Sequence, residues 1–175
     1  MRNRFLILAA LVPFAAASSQ EAGPARSNVL SIQPINAMLT AYSAEYEHKT
    51  GGAVTLGVGG TYFDAGDGVD EVKYKSGDVK LRYYPEGTAL RGFSFGVSGG
   101  YSAISGQDVN GNNASVSGPS VGVLLEYQWL MGASRNFTVA LGAGAKAVFV
   151  KDNAITSDSF SARYPTVRIS VGYAF

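Results

Sequence analysis

The chain has 175 residues, 22 of them glycine, no cysteine and a formal net charge of +1. Glycine exceeds its average share of about 7 %, while charged residues, at 15 %, lie below the usual share of about 25 %. The near-neutral charge without a basic cluster argues against a nucleic-acid partner. The absence of cysteine excludes disulfide bonds.

The N-terminal segment has the pattern of a secretory signal peptide. A basic start precedes an apolar run at 5–14 and an Ala-Ala-Ala cleavage site. The apolar run is shorter than the roughly 20 residues that a membrane-spanning helix needs, which argues against a retained anchor. We predict a cleaved signal peptide over 1–17, a short periplasmic N-terminal segment over 18–27 and one β-barrel domain over 28–175.

The mature part of the chain divides into strand-like segments separated by clusters of Gly, Asp, Asn and Ser. It contains no stretch of about 18 apolar residues, so only strands could cross a membrane. The first segment is the least regular, because Pro34 must lie at its end. Without that segment, seven strands would leave the two chain termini on opposite sides of the membrane. The eight predicted strands are 28–34, 38–48, 53–63, 72–84, 92–104, 120–129, 137–150 and 164–175.

The last predicted strand shows the clearest alternation. Large apolar side chains occupy one face and small or polar ones the other, which is typical of a strand between lipid and a polar lumen. The apolar face carries Val167, Ile169, Val171, Tyr173 and Phe175, and the polar face carries Thr166, Arg168, Ser170, Gly172 and Ala174. A soluble barrel of the lipocalin type would instead bury its apolar face inward. The predicted fold is therefore all-β, an eight-stranded antiparallel up-and-down transmembrane β-barrel.

The predicted connections alternate between long and short. The segments 105–119 and 151–163 are long, whereas those at 49–52, 85–91 and 130–136 are short. Bacterial outer-membrane barrels have short periplasmic turns and longer extracellular loops. We therefore predict 105–119 and 151–163 as extracellular loops.

The same alternation places charged residues of both signs inside the barrel. An eight-stranded barrel is just wide enough for its side chains to fill, and buried charges are tolerated when they pair. We expect Glu45 and Glu126 to pair with Arg82 and Arg168 in a network that fills the lumen. A narrow charged pore is the alternative. The predicted lumen network comprises Glu45, Asp78, Lys80, Arg82, Glu126, Lys146 and Arg168, and Glu47 faces the same way.

Signals for catalysis, cofactors or metals are weak. The single histidine, His48, falls outward near a periplasmic turn, and neither a G-x-S-x-G nor an S-x-x-K motif occurs. The segment 108–113 resembles the start of a calcium loop, but Asn113 replaces the required Gly and Pro119 stands where the bidentate Glu belongs. We predict no enzyme activity, no catalytic residue, no cofactor and no metal site.

Four short motifs lead to a family resemblance. They are SAEYE at 43–47, LRYYP at 81–85, GFSFG at 92–96 and ISVGYAF at 169–175. In these motifs the chain resembles the small outer-membrane β-barrel proteins of Gram-negative bacteria, the group of the OmpA transmembrane domain, OmpX and OmpW.

The resemblance implies a place in the outer membrane, among lipid and lipopolysaccharide, after escort by periplasmic chaperones. It also implies insertion by the outer-membrane assembly machinery, which reads a last strand ending in an aromatic residue, with Val171, Tyr173 and Phe175 as the assembly signal. We expect a monomer with a structural or surface-interaction role. The alternatives are a narrow pore for small solutes, or adhesion through 105–119 and 151–163.

Overall fold

The computed structural model describes residues 26–35, 40–66, 72–107, 113–150 and 160–175. The predicted signal peptide lies outside these residues. Within them, no helix is long and apolar enough to cross a membrane. The strands are β1 Asn28–Ile32, β2 Ala41–Lys49, β3 Val54–Ala65, β4 Val72–Tyr83, β5 Gly92–Gln107, β6 Asn113–Met131, β7 Phe137–Val150 and β8 Phe160–Ala174.

The eight strands form a closed barrel in which each strand pairs antiparallel with its neighbours in sequence and β1 pairs with β8. The predicted fold class is confirmed, including the first strand. That strand is shorter than predicted, because it ends at Ile32 and the chain turns into helical backbone at Pro34. Proline has no N–H to donate to a sheet ladder, so it ends the strand.

The start of β1 and the C-terminal Phe175 lie at the same end of the barrel. The backbone N–H groups of Ser27 and Asn28 donate to the Phe175 carbonyl over 3.1 and 2.9 Å. The connections 50–53 and 132–136 and the longer 84–91 lie here as well, and we call this the terminal end. We call the opposite end, which β3, β5 and β7 reach as they finish, the distal end.

The predicted loop at 105–119 is wrong. β5 continues to Gln107 and β6 begins at Asn113, with Ser105 paired to Ser115. The segment was predicted as a loop because it is rich in Gly and Ser. Its two halves instead pair as strands, and this β5–β6 pairing extends toward the distal end past the residues of β6 that pair with β7. β8 likewise begins at Phe160, four residues before the predicted start at 164. The strict alternation of long and short connections therefore does not hold.

The two faces of the wall have opposite chemistry, and the apolar one is on the outside. Serine, threonine, glutamate and arginine side chains are buried inside the barrel, while large apolar side chains are exposed around it. On β6, for example, Val123 is 59 % exposed and the inward Glu126 is 1 % exposed. The core of this fold is therefore a polar lumen. The most exposed apolar side chains are Ile32, Tyr42, Val97, Tyr101, Val123, Val167 and Tyr173.

Candidate functional site

In the part of the chain that the structure describes, eight charged side chains from five different strands form ion pairs in the lumen. Side chains of a strand alternate between its two faces. Each of these residues is an even number of positions away from other buried polar residues of its strand, so it points inward with them. The acids are Glu45, Glu47, Asp78 and Glu126, and the bases are Lys80, Arg82, Lys146 and Arg168. The two signs are present in equal number, so the described lumen carries no net charge.

Arg82 is the centre of the larger group. Its Nη2 lies 2.5 Å from Glu45 Oε1, its Nη1 lies 2.9 Å from Glu47 Oε2 and its Nε lies 3.6 Å from Glu126 Oε1. The side chain is only 1 % exposed. A buried guanidinium is stable only where carboxylates compensate its charge, and its planar fork can address several at once. Arg82 therefore ties β4 to β2 on one side and β6 on the other.

A second arginine completes the crossing of the lumen. Arg168 Nη1 lies 2.5 Å from Glu45 Oε2, and Arg168 Nε lies 2.8 Å from Glu126 Oε2. Lys80 also contacts Glu45 through its ammonium group. The two glutamates and two arginines expected to pair thus form one closed ring of contacts. We call Glu45, Glu47, Lys80, Arg82, Glu126 and Arg168 the lumen network.

Glycine on the inner wall makes room for the lumen network. A Cβ atom at Gly96 would lie 3.3 Å from Arg82 Cγ, and one at Gly142 would lie 3.2 Å from Glu126 Cβ. Both separations are tighter than ordinary van der Waals contact. Gly96 and Gly142 are therefore needed where they are, because a side chain at either position would crowd Arg82 or Glu126.

Glu47 is held by two further donors that sequence analysis missed. The Thr55 hydroxyl and the Tyr84 hydroxyl both donate to Glu47 Oε1, the latter over 2.9 Å. Burial and the neighbouring Glu47 carboxylate raise the pKa of the Tyr84 phenol well above its ordinary value, so the phenol stays protonated and donates. Tyr84 was predicted as the last residue of a strand and shares the inward parity of Arg82, but its contact with Glu47 was not predicted.

Below the lumen network, the connection 84–91 folds into the terminal end of the barrel. Leu90 is 1 % exposed and packs with Val29 and Ala174, and its carbonyl accepts a 2.9 Å bond from Gln128 Nε2. Leu90 adopts a φ of 70°, which is uncommon outside glycine. We call the buried residues Tyr84, Ala89 and Leu90 the terminal plug. Ala89 and Leu90 lie in the connection beyond the strand, so no alternating pattern marks them, whereas Tyr84 continues the inward parity of Arg82.

Replacing Tyr84 by Phe should lower the free energy of unfolding by about 1–3 kcal/mol, because the buried Glu47 carboxylate loses a donor. Tyr83→Phe is the matched control, since Tyr83 is the preceding residue and is exposed on the outer face. We expect the control to stay within about 0.5 kcal/mol of the original. Urea unfolding of the barrel refolded in lipid vesicles measures both. Equal effects at the two positions would contradict the assignment.

A separate group of polar side chains lies toward the distal end. Lys146 Nζ lies 2.8 Å from Asp78 Oδ1, and it also donates to the Tyr74 hydroxyl over 3.5 Å. The Tyr74 hydroxyl lies 3.4 Å from that of Tyr164 and 3.2 Å from Ser102 Oγ. The structure thus divides the predicted charges into two groups, with Asp78 and Lys146 apart from the lumen network.

The remaining predicted positions lie on the outer face. Tyr173 and Phe175 are about half exposed, their rings stack with centroids 6.3 Å apart, and Val171 shares their face. His48 is exposed at the terminal end, with Nδ1 2.8 Å from Asn28 Oδ1. Of the segment 108–113, which resembles the start of a calcium loop, residues 108–112 lie outside the described residues. In the described part of the chain, no three His, Asp or Glu side chains are grouped as metal ligands.

These features define a class of protein, namely a small closed β-barrel with an apolar outer surface and a charged, internally paired lumen. That is the architecture of the small outer-membrane barrels. The chain is similar in structure to the N-terminal β-barrel domain of OprF from Pseudomonas aeruginosa, with a TM-score of 0.50 and 15 % sequence identity. The match covers 86 % of this chain and 98 % of that domain.

At this identity the likeness establishes the shared fold, and it confirms the predicted resemblance to the small outer-membrane barrels at that level. No protein-family model matches the chain, and no curated protein sequence matches it.

Proposed function

We propose that the protein is an outer-membrane β-barrel whose lumen is closed by the lumen network and the terminal plug, with a structural or surface-interaction role and no catalytic activity. The observation that carries this proposal is the set of contacts by which Arg82 and Arg168 join Glu45 and Glu126 across the barrel. A side-chain network that spans the lumen supports a barrel that is closed to solutes.

The outer surface supports the membrane location. Val97 and Val123 are more than half exposed and face each other across the β5–β6 ladder. In water, each square ångström of such apolar surface is unfavourable by about 25 cal/mol relative to burial, and monomeric soluble proteins rarely expose large contiguous patches. Lipid removes this cost. Aromatic pairs near the terminal end, Phe93 with Phe95 and Tyr127 with Trp129, suit an interface girdle.

The proposed partners follow from this location. They are outer-membrane lipid and lipopolysaccharide around the barrel, with periplasmic chaperones and the assembly machinery during insertion. Exposed Tyr173 and Phe175 at the end of β8 support recognition of the last strand. Export by the predicted signal peptide and a monomeric state belong to the same proposal. His48 lies on the outer face at the terminal end, where its ring contacts Asn28 and points away from the lumen charges, which supports a non-catalytic role.

The closed lumen is tested by conductance in planar lipid bilayers. We expect the refolded chain to add no steady, discrete channels to the bilayer, because the lumen network and the terminal plug block the same path in series. Removing the ion pairs with the double substitution Arg82→Ala and Arg168→Ala, combined with Leu90→Ala to open the terminal plug, should produce measurable current. Discrete channels from the unaltered chain, with an ion selectivity that changes on substitution of Glu126, would instead support the alternative of a narrow pore.

A further inference from the structure

The distal half of the lumen contains a cavity that the lumen network does not fill. Its volume is about 500 Å³, within the range of about 300–1,000 Å³ that is usual for small-molecule sites. The cavity exists because the β5–β6 wall contributes little bulk there, with Gly96, Ser98 and Gly122 among its lining residues. Opposite them stand larger polar side chains, which include Tyr74 and Tyr164.

We propose that this cavity binds a small uncharged polyhydroxyl compound of the monosaccharide class. The proposal is independent of the closed-lumen function, because it concerns the distal half of the barrel and requires no passage through the lumen network.

The pairing of the charged lining residues argues against a charged ligand. Each charged group that lines the cavity already has a protein partner. Asp78 pairs with Lys146, Lys80 and Arg168 pair with Glu45, and Arg82 pairs with Glu45 and Glu47. An anion or a cation entering the cavity would lose its hydration without gaining an unpaired counter-charge, which is costly in a semi-enclosed site. A neutral ligand carries no such penalty.

Hydroxyl chemistry then favours a polyol over an apolar ligand. The lining presents hydroxyl groups on several strands, from Thr61, Ser76, Ser98 and Thr166 in addition to the two tyrosines. A hydroxyl group both donates and accepts hydrogen bonds, so it can bond to a ligand hydroxyl as either donor or acceptor. The chain of contacts from Tyr164 through Tyr74 to Ser102 shows that these groups already exchange hydrogen bonds with one another. The lining also contains apolar residues such as Leu124 and Val148, but an apolar ligand could form no hydrogen bond with the hydroxyl groups.

The test uses the full mature chain refolded in an amine-oxide detergent, which carries no sugar headgroup. D-glucose is titrated and the backbone amide resonances of the cavity lining are followed by NMR, with inorganic phosphate as the charged comparison. We expect saturable shifts at Gly122 and Thr166 with glucose and none with phosphate. The absence of saturable shifts with glucose, or saturable shifts at the same amides with phosphate alone, would overturn the proposal.

Variants locate the site. Tyr74→Phe combined with Tyr164→Phe should weaken glucose binding at least ten-fold, while Tyr83→Phe on the outer face should leave it unchanged. Thr166→Leu provides a second variant that fills the cavity without touching either tyrosine, and it should weaken binding to a similar degree. If the folded Thr166→Leu chain binds glucose as tightly as the original, the site is not this cavity and the proposal fails.

Discussion

Replacing Arg82 by Met is expected to lower the free energy of unfolding by about 3–5 kcal/mol, the range for removing one partner of a buried ion pair. Arg82 is the contact shared by Glu45, Glu47 and Glu126, so its loss leaves three buried carboxylates with only Lys80 and Arg168 as cations. Met fills a similar volume without the charge, which separates the electrostatic loss from a cavity.

Urea unfolding in lipid vesicles, followed by the fluorescence of the single tryptophan, measures this loss. Arg163→Met is the matched control, because Arg163 is an exposed arginine on the outer face of β8. The control should stay within about 0.5 kcal/mol of the original. Adding Glu47→Gln to Arg82→Met should recover part of the stability by removing one uncompensated carboxylate. Unchanged stability of Arg82→Met would mean that the lumen network is solvated and does not hold the barrel together.

Replacing Val123 by Arg is expected to destabilise the membrane-inserted barrel by about 2–4 kcal/mol, the cost of a cation on the lipid face near the bilayer midplane. Val123 is exposed on the outside of the wall and pairs with Val97, between the aromatic residues of the terminal end and Tyr101 toward the distal end. In a soluble barrel the same change would place a charge in water and would be nearly neutral. The sign and size of the effect therefore report on the surrounding solvent.

The control for this experiment places the same arginine on the outer face at a different depth in the bilayer. Tyr83 is exposed on the outer face at the end of β4, beside the terminal end, where a cation can reach water and headgroups. Tyr83→Arg should therefore cost about 0–1 kcal/mol by the same vesicle unfolding assay. Equal losses of unfolding free energy at Val123 and Tyr83 would contradict a barrel that spans a bilayer.

The alternation of side chains was enough to predict the architecture and the direction of the lumen charges. Because the period of a strand is two, one correctly placed residue such as Arg168 determines the facing of all its neighbours. The joint facing of Glu45, Arg82 and Glu126 followed from the same rule on three other strands. Their actual contacts needed the register between strands, which the structure supplies.

The parts that escaped prediction are those where periodicity does not apply. Ala89 and Leu90 enter the lumen from a connection, so no alternation marks them. The β5–β6 hairpin beyond the barrel has the Gly and Ser content of a loop, yet pairing of Ser105 with Ser115 keeps it extended. The segments at 67–71, 108–112 and 151–159 lie outside the described residues, so the expected surface role of the distal connections stays a prediction.

The seam between β1 and β8 determines when during folding the barrel can close. It consists of four residue pairs, from Val29 with Ala174 to Ile32 with Val171, and it joins groups as distant in sequence as Asn28 and Phe175, separated by 147 positions. Contacts between residues so distant in sequence form late and slowly, because the chain must lose the entropy of closing a long loop before the contact contributes any stabilising energy. Until the final strand arrives, β1 and β7 each keep an unpaired edge that can capture strands from other chains. Completion of the barrel is thus a single late event that removes both edges at once.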